Sequence, residues 1–451
     1  MASPVIVVFG ITGDLSKRKL LPALYHLLSQ DILPEDTKIV GVSRKDLDPN
    51  ELLNTVELCV LERDNICDPI GMARVKNALS TIKLDPTEPA DFTKLKQHLD
   101  SFDSHDERER LMYMSVPADA FEPIITNLAA SDLNGPRNRL LLEKPFGYDL
   151  QSAQQLLKLI NAEFDEEQIY RIDHYLAKET AQNLLAFRLH NPIFSPLWNA
   201  EHIQRVHIIA TEKLGIENRI GFYEQTGAMR DLIQSHLIQL LAITMMDLPT
   251  DMSSEAIHVS KQHFMEQLIP ADANTAERGQ YMGYSNEVGI KSATETYAKV
   301  FLKHSAERWQ GTEIVLETGK AMAEKSTQII VEFNTPHERR RNSLTFHIQP
   351  NEGIGLDLVV KKPGFGEHMQ HAELDFRYSD TFKNIVEIDA YERVLMDAVR
   401  GDQSLFASDR EVLASWQVLQ PIVDKWAASG DGMHSYTMGA TPEEVCSDRS
   451  E

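Results

Sequence analysis

Gly10-Ile11-Thr12-Gly13-Asp14-Leu15-Ser16 falls between an apolar run, Val5 to Phe9, and a stretch with Leu20, Leu21, Leu24, Leu27 and Leu28 at helical spacing. A strand, a glycine turn and a helix start make an anion site. Glycine at 10 permits a tight turn, and glycine at 13 lets backbone approach a pyrophosphate closely. The helix start adds unpaired N–H groups and the positive end of its dipole. Gly10, Thr12, Gly13, Asp14 and Leu15 are therefore candidate dinucleotide ligands. The pattern is G-x-x-G-x-x-S rather than G-x-G-x-x-G, with Ser16 in place of the third glycine. A turn that merely links strand to helix fits the same letters. The next strand, Lys38 to Val42, runs into Ser43, Arg44 and Lys45, with no carboxylate until Asp46. An acidic residue there would favour a free ribose 2′-hydroxyl; Arg44 suits a 2′-phosphate, which it can grip through two N–H groups. A solvated arginine at a strand end fits the same position; read as a ligand, Arg44 points to NADP as the coenzyme.

A second group of chemistry-bearing residues lies in Arg171-Ile-Asp-His-Tyr-Leu-Ala-Lys-Glu179. His174 and Lys178 are four apart, so the spacing predicts both on one face near a helix start, where they would hold an anion. Tyr175 adds a hydroxyl donor. A solvated surface pair is the plainer reading of the same spacing.

These residues need a scaffold, and its outline is legible. The first ~170 residues alternate strand-like and helix-like segments, the mark of an α/β domain. Expected strands are Val5 to Phe9, Lys38 to Val42, Leu111 to Val116, Arg139 to Leu142 and Ile169 to Ile172, with helices at Ala118 to Ala130 and Leu150 to Ala162. Helices are expected at Ala177 to Leu189 and Ala228 to Met246. Then strands come in series: Glu313 to Leu316, Gln328 to Phe333, Leu344 to Ile348, Leu356 to Val360 and Ala372 to Tyr378. Helices at Asp389 to Val399 and Asp409 to Trp426 follow, and the Gly- and Ser-rich tail from Ala427 is expected to be loose. The fold class is α/β plus α+β. A Rossmann-like dinucleotide-binding domain (1–172) precedes a larger β+α domain (173–451) with a mainly antiparallel sheet, expected to bind substrate and drive assembly.

Composition narrows the partners. With a formal net charge of −23, nucleic acid is excluded as a partner by repulsion. No window reaches the ~18 apolar residues of a membrane span, and the opening MASPVIVVFG lacks a signal-peptide pattern. Cys59, Cys67 and Cys446 form no C-x-x-C pair and no metal spacing; they read as free thiols of a reducing cytoplasm. No metal is expected.

GITGDLSKRKLLPALYHL, LLEKPFGYDL, RIDHYLAKE, GAMRDLIQSHLIQLLA, RGQYMGY, ETGKAM and AYERVLMDAVRGDQSLF occur in that order from residue 10 to residue 406. Together they resemble the glucose-6-phosphate dehydrogenase family, and RIDHY-x-x-KE is nearly confined to it. The resemblance implies oxidation of D-glucose 6-phosphate at C1 to 6-phospho-D-glucono-1,5-lactone with NADP, the first step of the oxidative pentose phosphate pathway. It implies His236 as the base, Asp173 as its carboxylate partner, and Lys144 between nicotinamide and C1. It puts His174, Tyr175 and Lys178 on the 6-phosphate, Glu212 and Asp231 on sugar hydroxyls, and Lys320 and Lys325 near the substrate. A homodimer or homotetramer follows from the same likeness. Taken alone, His236 among Leu232, Ile233, Leu237 and Leu240 reads as a core histidine. Two departures stand out: Ala177 where the family has glycine, and Glu317 where it has arginine. They leave room for a dehydrogenase of another sugar phosphate. A non-catalytic NADPH-binding regulator is the other alternative, against which the intact Asp173, His236, Lys144 and Lys178 argue.

Overall fold

The computed structural model describes residues 3–64, 67–103, 108–217, 219–335, 341–382 and 388–446. The Cys446 side chain lies outside what is described. The chain forms two units: Met1–Gly147, Gln151–Ala177 and Glu387–Asp409 make the first, and Tyr148–Leu150, Lys178–Val386 and Arg410–Glu451 the second.

The first unit is a parallel sheet of β1 (Val5–Phe9), β2 (Lys38–Ser43), β3 (Leu79–Lys83), β4 (Arg110–Met114), β5 (Asn138–Leu142) and β6 (Ile169–Ile172). Their order is β6-β5-β4-β1-β2-β3, with the short strand Phe406–Ala407 antiparallel beyond β6. Helices cover both faces, which explains the unbroken apolar run of β1. Val5, Val7 and Phe9 enter one core with Phe92, Met112 and Ile124, while Ile6 and Val8 enter another with Leu24, Leu28 and Leu111. Strand β3 was not expected from sequence. It is an edge strand in which Leu79 alone is fully buried, so its apolar signal is weak. The segment Glu387–Asp409 departs from the division at 172/173. Its helix, Ala390–Arg400, packs Val394, Leu395 and Ala398 into the first unit's core.

The second unit holds β7 (Ile203–Thr211), β8 (Leu268–Ile269), β9 (Glu277–Tyr281), β10 (Tyr297–His304), β11 (Glu313–Gly319), β12 (Ser326–Phe333), β13 (Ser343–Gln349), β14 (Gly353–Lys361) and β15 (Met369–Arg377). The sheet runs β15-β14-β13-β12-β7-β11-β10-β9. Pairing is antiparallel throughout except for β7 with β11 and the last strand with β9. That last strand, Met433–Tyr436, corrects the expectation of a loose tail. Tyr436 is buried, and its hydroxyl bonds Thr296 Oγ1 at 2.8 Å and donates to the Lys320 carbonyl at 2.8 Å. Strands β7, β9 and β10 also went unread. In β7 the buried positions Val206, Ile208 and Ala210 alternate with Arg205 and His207, whose polarity obscures the pattern.

The helix expected over Ala228 to Met246 is two kinds of turn. Met229–Leu237 winds in wide i→i+5 turns, and Ile238–Met245 is α-helical. Wide turns of this kind are rare and cluster at functional sites. The helix expected from Ala177 starts later, at Glu179, and runs to His190.

Candidate active site

In the first unit, β1 pairs with β2 on one side and β4 on the other, so the strand order reverses at β1. The carboxyl ends of strands at such a reversal form a crevice suited to a ligand. Here a cleft of about 980 Å³ is lined by Gly10, Thr12, Gly13, Ser43, Arg44 and Ser115, among others. Gly10 has φ of +79°, and a Cβ there would stand 2.1 Å from the Ser115 carbonyl oxygen. Glycine alone fits both demands. The first bond of the following helix runs from Lys17 N–H to the Gly13 carbonyl at 3.1 Å. It leaves the N–H groups of Asp14, Leu15 and Ser16 ahead of it, available to an anion. The Asp14 side chain turns elsewhere, to an exposed ion pair with Arg18 at 2.8 Å, and Leu15 packs on the core.

Ser16, the departure from the glycine pattern, has a structural reason. Its buried hydroxyl bonds the Gly10 carbonyl at 3.0 Å and Ser115 Oγ at 2.9 Å, tying the loop to the end of β4. Arg44 is exposed at the end of β2, and Ser43 Oγ accepts the Lys45 N–H at 3.1 Å.

At the end of β5 stands Glu143, then Lys144, joined to Pro145 by a cis bond. Glu143 accepts the Tyr113 hydroxyl at 2.5 Å. Burial pushes its carboxyl up to about 7, against the pull of the Tyr113 bond and the Lys144 charge; the Asp173 charge adds to the rise. Sequence reasoning gave Glu143 no part, and its position beside Lys144 was the one signal to be had. Asp173, buried, follows β6. Its Oδ1 accepts the N–H of Tyr175 at 2.9 Å and of Leu176 at 3.4 Å. That bonding folds residues 174–177 into a turn. The expectation that His174 and Lys178 share a helical face is therefore corrected: Lys178 stands just before the helix, which begins at Glu179. Ala177 is buried in this turn, its N–H 3.3 Å from the Asp173 carbonyl.

In the second unit the parallel pairing of β7 with β11 sets Thr211 opposite Gly319. The next residues on each strand, Glu212 and Lys320, come side by side as an ion pair. Asp231, buried in the wide turns, brings a carboxylate 3.8 Å from the same ammonium. Below it lies the ring of Tyr223, 5.4 Å away, with a buried hydroxyl that has no hydrogen-bond partner among the described residues. Tyr223 was missed in the sequence, where nothing marks it. His236, 1% exposed, occupies the wide turns one residue short of their last. Lys178 donates to the side-chain oxygen of Gln349. Lys325 is exposed in the turn before β12, and no described contact ties it to Lys320.

Glu317 belongs to neither group of site residues. It is 1% exposed within the sheet, where it accepts the Tyr297 hydroxyl at 2.5 Å and meets His207 at 2.8 Å and Lys299 at 3.4 Å. Burial raises its carboxyl, but the His207 bond and the Lys299 charge outweigh it and hold the carboxyl below the ordinary value. Farther along the sheet, His347, Glu373 and Asp375 bring ligand atoms within 4.8 Å of one another, but Arg377 already bonds Asp375 at 2.8 Å.

A doubly wound parallel sheet with a glycine phosphate loop, joined in one chain to a large antiparallel-rich sheet with a lysine–carboxylate cluster, defines a nicotinamide-dinucleotide-dependent oxidoreductase. Residues 7–183 match the glucose-6-phosphate dehydrogenase NAD binding domain and residues 185–448 its C-terminal domain, so the chain belongs to the glucose-6-phosphate dehydrogenase family. It is 37% identical over 460 residues to glucose-6-phosphate 1-dehydrogenase of Rhizobium meliloti (strain 1021), covering 96% of this chain and 93% of that one. To the enzyme of that name from Chlamydia muridarum it is 34% identical, over 97% of this chain and 93% of the other. A solved glucose-6-phosphate dehydrogenase in complex with its substrate glucose-6-phosphate has a TM-score of 0.92 at 31% identity, over 100% of this chain and 98% of that one. A 3-ketoreductase from Actinomadura kijaniata, 12% identical with a TM-score of 0.52 over 96% of this chain and 99% of its own, shares the fold.

Proposed function

We propose that the protein oxidises D-glucose 6-phosphate at C1 to 6-phospho-D-glucono-1,5-lactone, with NADP as the oxidant. The observation that carries this reading is the cluster of buried Lys320 and Asp231 with half-buried Glu212 in a chain of this family. Two carboxylates around one ammonium offer acceptors and a donor to sugar hydroxyls. NADP, when bound, supplies the hydride acceptor. His236 takes the C1 hydroxyl proton as the C1 hydrogen leaves and the carbonyl forms. Asp173 is its carboxylate partner, holding the tautomer and stabilising the imidazolium. Lys144 serves the reacting carbon. His174, Tyr175 and Lys178 receive the 6-phosphate, and Lys320 and Lys325 contact the substrate.

NADP rather than NAD is supported by Arg44 and Ser43 in the wall of the cleft. A hydrogen bond from Arg44 to a 2′-phosphate is worth ~1.5–3 kcal/mol, which at ~1.4 kcal/mol per tenfold is a roughly ten- to hundredfold preference. The test is kcat/KM with each coenzyme for wild type and Arg44→Ala. The expected result is a wild-type preference for NADP that the variant loses. A wild type favouring NAD, or an unchanged ratio in the variant, contradicts it.

The enzyme works as a homodimer or homotetramer. Exposed Val360 and Leu374, on one face of β14 and β15, support this, since a second copy would cover them. Its place is the cytoplasm, whose reducing conditions suit the free thiols of Cys59 and Cys67.

A further inference from the structure

The helical run that carries Asp231 and His236 starts abruptly. Gly227, with φ of +62° and ψ of −178°, breaks the preceding helix, and the wide turns begin at Met229. The first N–H groups of a helix need partners from outside it. The residue before this helix is Ala228, whose side chain cannot cap. The partner comes from far along the chain. Glu295 Oε1 accepts the Met229 N–H at 3.0 Å, and the Glu295 carbonyl accepts the Ala228 N–H at 2.9 Å. Glu295 is 5% exposed, and a Cβ on Gly227 would stand 2.3 Å from its Oε1. The glycine thus serves two ends: it turns the chain and makes room for a carboxylate from another element.

That carboxylate sits at the positive end of the helix that bears the chemistry. Burial pushes it up from the ordinary range, while the Met229 bond and the Arg230 and Arg278 charges pull it down. The next residue, Thr296, accepts the Lys320 N–H through its carbonyl at 2.8 Å. Two adjacent residues therefore hold two of the cluster's three members, Asp231 with its helix through Glu295, and Lys320 through Thr296.

We propose that Glu295 is a positioning residue for the dehydrogenase reaction, fixing the start of the wide-turn helix and with it the location of His236. The proposal rests on the reading of His236 as the base. Displacement of a catalytic group by ~1 Å can cost about a hundredfold in rate.

The test uses the full-length enzyme, with Glu295→Asp and Glu295→Gln each made in wild type and in a His236→Asn background. Aspartate keeps the charge but is one methylene too short to reach the Met229 N–H. Glutamine keeps an acceptor oxygen at the right distance. Glu295→Asp is expected to lower kcat about ten- to hundredfold with the KM for coenzyme unchanged. Glu295→Gln should recover most of that loss. In the His236→Asn background Glu295→Asp should cost less than about twofold more, since a misplaced base that is already absent costs nothing further. Wild-type kcat in Glu295→Asp overturns the proposal. So does a glutamine variant as impaired as the aspartate one, or an equal loss in both backgrounds. Near-normal turnover in His236→Asn alone refutes the base assignment instead, a separate result. If Glu295→Asp fails to fold, Glu295→Gln decides: a kcat down tenfold or more overturns the proposal, and near-wild-type kcat upholds it.

Discussion

The nucleotide cleft and the lysine–carboxylate cluster are built from different materials. In the cleft the groups placed to meet a ligand are mostly backbone, the turn at Gly10 and the N–H groups that precede the first helical bond at Lys17, with the Arg44 side chain in the wall. In the second unit they are side chains. Glu212 and Lys320, 108 residues apart, meet because two strands run parallel in one register, and Asp231 joins them from a helix. A backbone site tolerates most side chains at the positions that merely pass through it. A side-chain site depends on every element that delivers a member, so damage far from the chemistry reaches it.

That contrast is sharpest at His236. Replacement by asparagine should lower kcat by ~10²–10⁴-fold, the usual cost of losing a general base, with little change in KM. Coenzyme affinity, which belongs to the backbone site, should not move. The check is steady-state kinetics beside a coenzyme titration. Near-normal turnover, or a coenzyme Kd that rises as kcat falls, would break the contrast.

The framework of the second unit offers the next largest effect. Lys261 and Glu411, each fully buried, pair at 2.8 Å, and His258 adds a bond to Glu411 at 2.7 Å. Lys261 also reaches Gln239, three residues beyond His236, at 3.3 Å. Glu411→Gln strands a buried ammonium and should cost about 3–5 kcal/mol. Burial alone would raise the Glu411 carboxyl, but Lys261 and His258 outweigh it and bring it down to about 2. A depressed carboxyl stabilises the fold above its ordinary pKa, and that contribution fades as pH falls through the depressed value. The stability gap between wild type and variant should therefore be full at neutral pH and shrink between pH ~4.5 and pH ~2. Denaturant melts across that range measure it; a gap that widens on acidification contradicts the pairing.

Lys178→Ala should act more narrowly. Loss of a charged bond to phosphate, ~1.5–3 kcal/mol, predicts a KM for glucose 6-phosphate raised about ten- to hundredfold. The KM for free glucose should hardly change. Equal losses for both sugars would assign Lys178 another task.

How much was legible in the sequence follows the same division. The run Val5 to Phe9, the glycine turn and Arg44 at the strand end are local features, and the folded chain keeps them together. Glu212, Asp231 and Lys320 have no local mark; family likeness named them, and only strand register explains why they meet. Where local reasoning was applied to a side-chain site it misfired. The four-residue spacing of His174 and Lys178 suggested one helical face, but the Asp173 carboxylate bonds the Tyr175 and Leu176 N–H groups and makes a turn there. The strand at Met433–Tyr436 was hidden for a related reason, since its partner β9 lies about 150 residues earlier and its burial depends on Thr296 and Lys320.

The most direct measurement is the initial rate of NADPH formation by the purified enzyme, followed by nicotinamide absorbance. Glucose 6-phosphate, other hexose phosphates and free glucose are compared at matched concentrations. The highest kcat/KM is expected with glucose 6-phosphate and a far lower one with free glucose, which lacks the 6-phosphate that Lys178 is proposed to hold. No NADPH with glucose 6-phosphate, or a higher kcat/KM with a different hexose phosphate, would contradict it.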